Sequence, residues 1–356
     1  MFHSKVKALL LAVALGAAAH AATAAISQSP LLNRPNTVPP NLALVLDTSG
    51  SMDENYIYQY GDVAAADGYG MHGPDTKTYA QYSPDVNKIY YNPKILYLPR
   101  VDYLGNPLAT GTSTSNWKMY FRKTTGPYTK FELGNASDYY NPYSPPASEV
   151  VAGSTATYPV DTSTATSSTQ FPKFKARTDC VNATYCTRTE ERQNRKNWRD
   201  WYSTRGKMAV TGIMAAFATL KPGAIRLGYG TIGGLDGGNF DQGVALYGDP
   251  TVVAPAVEPA TGVKGKFFTW LAAQTFTTST PNLTAINNAG KYFERLDSDG
   301  PWATLPNPNS KGISTVSSPT GPGKDEARKD HASCRRSFTM LITDGYSNGT
   351  VPTTAG

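Results

Sequence analysis

Two apolar runs in the sequence are each followed by oxygen-bearing side chains. Residues 42–46 read LALVL and lead into DTSGS at 47–51. Residues 337–343 read SFTMLIT and lead into Asp344 and Gly345. A short continuous apolar run bounded by turn-forming residues is typical of a strand buried on both faces. The pattern therefore predicts two buried strands, each with a polar loop at its carboxyl end.

Further elements are predicted between these two strands. Thr187 and Glu190 form a capping-box sequence, after which apolar and aromatic residues recur at three- and four-residue steps from 198 to 220, on one face of a helix. The Lys-Pro-Gly sequence at 221–223 predicts the end of that helix. The remaining predicted elements are a strand over 225–232, a short edge strand over 243–247, a helix over 263–274, and a helix with the apolar positions Leu283, Ile286, Ala289, Tyr292, Phe293 and Leu296.

This order of strands and helices predicts an α/β fold. Strands that alternate with helices favour a doubly wound, mostly parallel sheet with helices on both faces. The domain is predicted over residues 41–356 and is interrupted by a long insertion over 53–189, which holds 17 of the 22 tyrosines.

The insertion differs in composition from the rest of the domain. Tyrosine-rich, turn-rich sequence predicts short strands and ordered loops, whereas the Ser/Thr-rich, nearly uncharged stretch at 148–170 predicts a mobile segment. The tyrosines have two interpretations. They are half-buried residues that pack the insertion, which is the favoured interpretation, or they form an exposed aromatic surface for adhesion.

The first 24 residues have the layout of a secretory signal peptide. Lys5 and Lys7 precede an apolar run over 8–19, and small residues follow it. This run is too short to span a membrane, and no later segment would serve as a transmembrane helix. Residues 25–40 are predicted to be an extended lead-in. The protein is therefore predicted to be exported.

Charge and cysteine content restrict the partners. The formal net charge is +6, and loss of the two signal-peptide lysines leaves too little positive charge to indicate nucleic-acid binding. The basic residues between 188 and 207 are predicted to form a solvated helix face. An exported protein with three cysteines is expected to contain a disulfide, and Cys180 and Cys186 are close enough to close a small loop. Pairing of Cys334 with either of them stays open.

The first polar loop has the chemistry of a metal site. Asp47, Ser49 and Ser51 alternate, and Gly50 permits a sharp turn that lets their side chains converge. One carboxylate and two hydroxyls are hard oxygen ligands that suit Mg²⁺, Mn²⁺ or Ca²⁺. Such a site would lie at the carboxyl end of a strand, where open α/β sheets bind their ligands.

These motifs resemble the von Willebrand factor A domain and its metal-ion-dependent adhesion site. The resemblance implies that a divalent cation is bound by the first loop, by a threonine of a second loop and by an aspartate of a third. The matching residues here are Asp47, Ser49, Ser51, Thr280 and Asp344. Mg²⁺ is the first candidate, with Mn²⁺ and Ca²⁺ as alternatives. Too few residues follow Asp344 for the last strands and helices of such a domain, so the fold is expected to be incomplete at the C-terminus.

A second resemblance covers most of the mature chain in patches. VPPNLALVLDTSGSM, IYYNP, ERQNRKNWRDWYSTRGKMAV, the region around STPNLTAINNAGKYFERLDSDGPW and CRRSFTMLITDGYSNG are similar to the N-terminal part of the PilC/PilY family. These are type IV pilus tip-associated biogenesis factors and adhesins of Gram-negative bacteria. The resemblance implies a fragment without the family's C-terminal β-propeller. It also implies a location in the periplasm, at the outer membrane and at the pilus tip.

Three functions follow as hypotheses. The favoured one is a binding module for pilus adhesion or assembly, whose metal recruits an acidic group of a minor pilin, another pilus component, or a host or surface ligand. A metal-dependent hydrolase is the second, but the three loops contain no His or Glu as a general base, and only Asp53 and Glu54 lie just beyond them. The third is a structural role in which the metal only holds the loops together.

Overall fold

The computed structural model of the protein describes residues 39–56, 82–85, 87–111, 116–121, 142–235, 240–249, 258–295, 301–302, 335–345 and 347. The predicted signal peptide and nearly all of the lead-in lie outside these residues, as does Cys334. Those assignments therefore stay predictions.

The described elements follow the predicted alternation of strands and helices. In chain order they are β1 (Asn41–Leu46), β2 (Gln170–Pro172), β3 (Tyr185–Thr187), α1 (Arg188–Trp201), α2 (Arg205–Ala218), β4 (Arg226–Thr231), β5 (Gln242–Leu246), α3 (Val263–Ala272), α4 (Asn282–Phe293) and β6 (Ser337–Ile342). The predicted α/β class is confirmed.

A four-stranded sheet with the order β5-β4-β1-β6 forms the centre of the fold. β1 is parallel to both of its neighbours, and its Leu44 lies opposite Tyr229 of β4 and Met340 of β6. β5 pairs antiparallel with β4, as the predicted edge strand. The chain passes from β1 to β4 on one side and later returns to β6 on the other. The loops after β1 and β6 therefore flank a switch point of the sheet, where open α/β folds bind ligands.

Both faces of β1 are buried, as its unbroken apolar sequence predicts. Leu44 and Leu46 pack on the face covered by α2 and α3, whereas Ala43 and Val45 pack on the face covered by α4. Successive side chains of a strand point to opposite faces, so a strand between two helical layers needs apolar residues at every position. The helices on both faces thus fix β1 and the loop that follows it.

The predicted single helix from 187 to 220 is wrong, because the structure has two helices. α1 starts at the predicted capping box, in which the Thr187 side chain accepts from the backbone N–H of Glu190 and the Glu190 side chain accepts in return. α1 ends at Trp201, and α2 starts after Thr204, whose side chain accepts from the backbone N–H of Lys207. The new cap at Thr204 permits the chain to change direction between the helices.

The predicted buried face of α4 is also partly wrong. Leu283 and Ile286 are exposed, and the helix packs through Ala285, Ala289 and Tyr292. The residues that anchor it include the buried Asn288, whose side chain donates to the backbone carbonyl of Leu235. The buried face of α4 therefore combines small and aromatic residues with a hydrogen-bonded Asn288, and its N-terminal apolar positions Leu283 and Ile286 lie outside that face.

Residues of the predicted insertion form an aromatic core together with α1, which includes Tyr91, Trp117, Tyr158, Phe171 and the α1 residue Trp198. Four described tyrosines between 53 and 189 are buried inside this core and do not form an open surface: Tyr90, Tyr91, Tyr97 and Tyr158. The predicted mobility of 148–170 is wrong: this stretch packs through buried side chains and pairs with other segments of the insertion. Those buried side chains are Val150, Tyr158, Thr162 and Ala165.

Two further expectations are resolved by the described residues. Cys180 and Cys186 form a disulfide, as the sequence predicted. The predicted solvated basic face is wrong in part, because the guanidinium of Arg195 lies over the ring of Trp198 at 4.0 Å and Arg205 forms an ion pair. Among the described helices, none has both the length and the apolar character that crossing a membrane requires.

Candidate metal centre

The first loop is held in a tight turn by its own side chains. The backbone N–H of Asp47 donates to the carbonyl of Ile342 at 2.8 Å, which continues the pairing of β1 with β6. Oδ1 of Asp47 then accepts from the backbone N–H of Ser49 at 2.8 Å. A short 3₁₀ turn, Gly50–Asp53, completes the loop. Asp47 is fully buried and Ser49 is 2% exposed, so these oxygens point away from bulk water.

The third loop brings Asp344 to the first. The hydroxyl oxygens of Ser49 and Ser51 lie 3.0 Å apart, and Ser51 donates to Oδ1 of Asp344 at 2.9 Å. Parallel pairing of β1 with β6 places their carboxyl ends side by side, which explains why residues so distant in sequence meet here. Four of the five predicted ligands, Asp47, Ser49, Ser51 and Asp344, therefore form one cluster.

The second loop runs alongside the first at Thr278. Its backbone N–H donates to the carbonyl of Thr48, and its carbonyl accepts from Gly50, both at 3.0 Å. Thr280 lies two residues further along, is 7% exposed, and precedes Pro281, the N-cap of α4. The structure thus places the loop that carries Thr280 against the first loop, and the described hydrogen bonds between the two loops are made by Thr278.

Two residues that the sequence analysis missed tie the loops together. The hydroxyl of Thr343 donates to Oδ2 of Asp47 at 2.6 Å. The side chain of Asn282 donates to Thr343 Oγ1 and to the carbonyl of Gly345, both at 3.1 Å. Asn282 begins α4, so it connects the second loop to the third. The only signal for either residue was its position beside a predicted ligand.

A third missed residue, Arg205, carries charge into the site. Its Nη1 lies 2.5 Å from Oδ2 of Asp344, and its Nε donates to the carbonyl of Tyr56 at 2.9 Å. The backbone N–H of Arg205 donates to the carbonyl of Glu54 at 3.2 Å. Arg205 is the first residue of α2 and lies far in sequence from the third loop. Its pairing with Asp344 therefore depends on tertiary structure alone.

The donor set of this cluster fits a hard divalent cation. Two carboxylates and two hydroxyls converge, and such oxygens suit Mg²⁺, Mn²⁺ or Ca²⁺. Asp47 has no ion-pair partner among the described residues, although its side chain is fully buried. A buried charge is costly without compensation, and a bound cation would supply it. No group of three or more His, Cys, Asp or Glu side chains that could hold a metal occurs in the described part of the chain, so such a cation would depend on the hydroxyls as well as on the two carboxylates.

Fold and cluster together define an α/β domain with an oxygen-lined, partly neutralised site at the switch point of its sheet. No family model matches the chain, and no solved structure does. Two curated relatives do match. The chain is 26% identical over 330 residues to the type IV pilus biogenesis factor PilY1 of Pseudomonas aeruginosa strain PAO1, and 25% identical over 337 residues to PilY1 of strain PAK.

These matches cover 92% of this chain but only 25% and 26% of the two relatives. The chain thus spans about a quarter of the length of the curated relatives it matches. Its sequence is PilY1-like, and the resemblance to type IV pilus factors that its motifs predicted is confirmed.

Proposed function

We propose that this chain is an exported binding module of type IV pili that holds one divalent cation at the candidate metal centre. The ligands would be Asp47, Ser49, Ser51, Thr280 and Asp344. The observation that carries the proposal is the fully buried carboxylate of Asp47, which accepts from the backbone N–H of Ser49 and the hydroxyl of Thr343 and has no counter-ion among the described residues. Mg²⁺ is the first candidate because two carboxylates and several hydroxyls are all hard oxygen donors.

The proposed fold is a von Willebrand factor A-like domain with the Tyr-rich insertion. Three features support it: a mostly parallel sheet with one antiparallel edge strand, helices against both faces of β1, and polar loops at the carboxyl ends of β1 and β6. The domain would present the metal centre to a partner at the carboxyl-terminal end of the sheet. Binding, and not catalysis, is the proposed use of this end.

The proposed partner supplies a carboxylate. A divalent cation with only two protein carboxylates keeps an affinity for further anionic oxygen, so an Asp or Glu of a minor pilin, or an acidic group on a surface ligand, would complete the site. A cavity of about 450 Å³ opens beside Asp344 and is lined largely by apolar residues, including Met52 and Ile213. A partner side chain next to the carboxylate could occupy it. The similarity to a type IV pilus biogenesis factor supports a pilus component as this partner.

Metal binding is the direct test. Calorimetric titration of the purified chain with Mg²⁺, Mn²⁺ and Ca²⁺ should show one site, and Asp47→Ala should abolish it. Asp53→Asn is the matched control, because Asp53 is an exposed carboxylate on the 3₁₀ turn beside the same loop. We expect it to bind metal like the wild type. Equal affinity in the wild type and Asp47→Ala would refute the site.

The cellular test separates binding from a purely structural metal. In a full-length gene, Asp47→Ala should reduce surface piliation or surface attachment while export and protein level are maintained. Asp53→Asn should leave both unchanged. Normal piliation and attachment in Asp47→Ala at matched protein levels would leave the metal with a structural role only.

A further inference from the structure

Arg205 brings a permanent positive charge to the site that is proposed to bind a metal. Its guanidinium contacts Oδ2 of Asp344, while Oδ1 of the same carboxylate accepts from Ser51. The two oxygens of Asp344 thus have different partners, one inside the ligand cluster and one outside it. Asp344 is 9% exposed and Arg205 is 19% exposed, so solvent screens this pair only in part.

The position of Arg205 is unfavourable for the helix that carries it. It is the first residue of α2, and the first turn of this helix has no acidic side chain. The N-terminal end of a helix carries partial positive charge, which repels a cation. Asp344 compensates for this cost. The Nε bond to the carbonyl of Tyr56 fixes the guanidinium, and the backbone N–H bond of Arg205 to the carbonyl of Glu54 fixes the start of the helix. The positive charge of Arg205 is therefore held beside Asp344 by several independent contacts.

The charge balance shows how Arg205 would affect the binding of a metal and of an anion. Asp47, Asp344 and Arg205 together carry one net negative charge, so a bound divalent cation leaves one net positive charge. Without Arg205 the same metal would be fully neutralised by the two carboxylates. Asp53 and Glu54 lie just after the first loop, but their charges are the same with and without Arg205 and do not change this comparison. The charge of Arg205 therefore weakens the binding of the metal and strengthens the binding of an anion to the metal-loaded site.

We propose that Arg205 couples the metal to the acidic partner at this site: it lowers the affinity of the free site for the cation and raises the affinity of the loaded site for a carboxylate. This inference rests on the proposed function. Coupling of this kind is reciprocal, because a carboxylate that binds better in the presence of metal must strengthen metal binding to the same degree. The site would then hold its metal firmly only when a partner is engaged.

The test is a Mn²⁺ titration of the purified chain with and without acetate as the carboxylate probe, at constant ionic strength and corrected for Mn²⁺–acetate binding in solution. We expect Arg205→Gln to bind Mn²⁺ roughly tenfold more tightly than the wild type without acetate, since couplings of about 5- to 150-fold are usual. Acetate should strengthen Mn²⁺ binding in the wild type and do so much less in Arg205→Gln.

Two control variants separate charge from structure. Arg205→Lys loses the Nε bond to Tyr56 but keeps the positive charge. Because the proposal depends on the charge, this variant should behave like the wild type. Lys221→Gln removes an exposed positive charge beyond the opposite end of α2 and should change nothing. Arg205→Gln with unchanged or weaker Mn²⁺ affinity would overturn the proposal, as would Arg205→Lys behaving like Arg205→Gln.

The same titration tests the proposed function separately from the role of Arg205. A wild-type chain that does not bind Mn²⁺, or that binds it independently of Asp47, would overturn both ideas. A wild-type chain that binds Mn²⁺ through Asp47, with no gain in Arg205→Gln, would overturn only the coupling by Arg205.

Discussion

Replacement of Glu191 by Gln should destabilise the protein strongly, although the two side chains have nearly the same shape. Glu191 is 1% exposed within α1. Its Oε1 accepts from the hydroxyls of Tyr91 and Tyr158 at 2.6 and 2.7 Å, and its Oε2 lies 2.5 Å from Nη1 of the fully buried Arg177. An amide in this position must direct its two N–H groups either at Arg177 or at the two hydroxyls. Towards Arg177 the N–H groups would face a donor. Towards the tyrosines they would be accepted by the hydroxyl oxygens, but the two hydroxyl hydrogens would lose the acceptor that Oε1 provides, and Arg177 would face a neutral oxygen.

The magnitude follows from what remains after the change. Loss of one partner of a buried ion pair costs about 3 to 5 kcal/mol, because the other charge is left uncompensated. Arg177 keeps a second contact with Asp179, whose carboxylate is 27% exposed. We therefore expect the lower end of that range, about 3 kcal/mol of the free energy of unfolding.

Urea unfolding followed by tryptophan fluorescence is the assay, since Trp117 and Trp198 lie in the core that contains Tyr91. Glu294→Gln is the matched control, because Glu294 is exposed at the C-terminal end of α4 and its loss should change stability by less than about 0.5 kcal/mol. Glu191→Gln combined with Arg177→Met should cost less than the sum of the single changes. A loss below about 1 kcal/mol for Glu191→Gln would refute this reasoning.

Two further predictions concern the same insertion. Replacement of both Cys180 and Cys186 by Ser should lower the free energy of unfolding by about 2 kcal/mol, since the lost cross-link closes a short loop; an unchanged urea midpoint would contradict this. Burial raises the pKa of Tyr90 and of Tyr97 to about 12, so the folded state keeps protons that the unfolded state loses near about pH 10. Their stabilisation is complete below that pH and is lost as the pH rises towards 12, by up to about 2 to 3 kcal/mol per tyrosine, which urea midpoints measured across this range would show; a flat stability profile would contradict it.

The sequence predicted those elements whose signals are local. β1 is apolar from Leu42 to Leu46 because helices cover both faces, and the capping box at Thr187 is satisfied within one turn. The break between α1 and α2 could not be predicted in this way. Apolar and aromatic residues continue at helical spacing across it, and the cap at Thr204 is a common residue in an ordinary context. The exposed Leu283 and Ile286 show the same limit, since a hydrogen-bonded polar residue forms part of the buried face of α4.

The residues of the candidate site also fall into two groups, those predicted from local sequence and those positioned only by tertiary structure. Asp47, Ser49 and Ser51 lie within five residues, so their convergence follows from one turn, and the resemblance to a known motif added Asp344. Arg205 was predicted to lie on a solvated helix face. Its pairing with Asp344 joins residues 139 positions apart and needs both the sheet and α2 to be in place. No sequence pattern carries that information.

Among the described residues, the start of α2 is a structural link between the insertion and the candidate metal centre. The insertion is entered just after the first loop, and its aromatic core includes Trp198 of α1. α2 follows α1 after a three-residue break and places Arg205 against Asp344. The next residue, Gly206, packs so closely against the ring of Phe276 that a Cβ atom there would overlap it. The start of α2 is thus fixed between the segment that follows the first loop and the segment that leads to the second. Within the described part of the chain, Arg205 is therefore the cationic side chain that joins the helices packed on the aromatic core of the insertion to the carboxylate of Asp344.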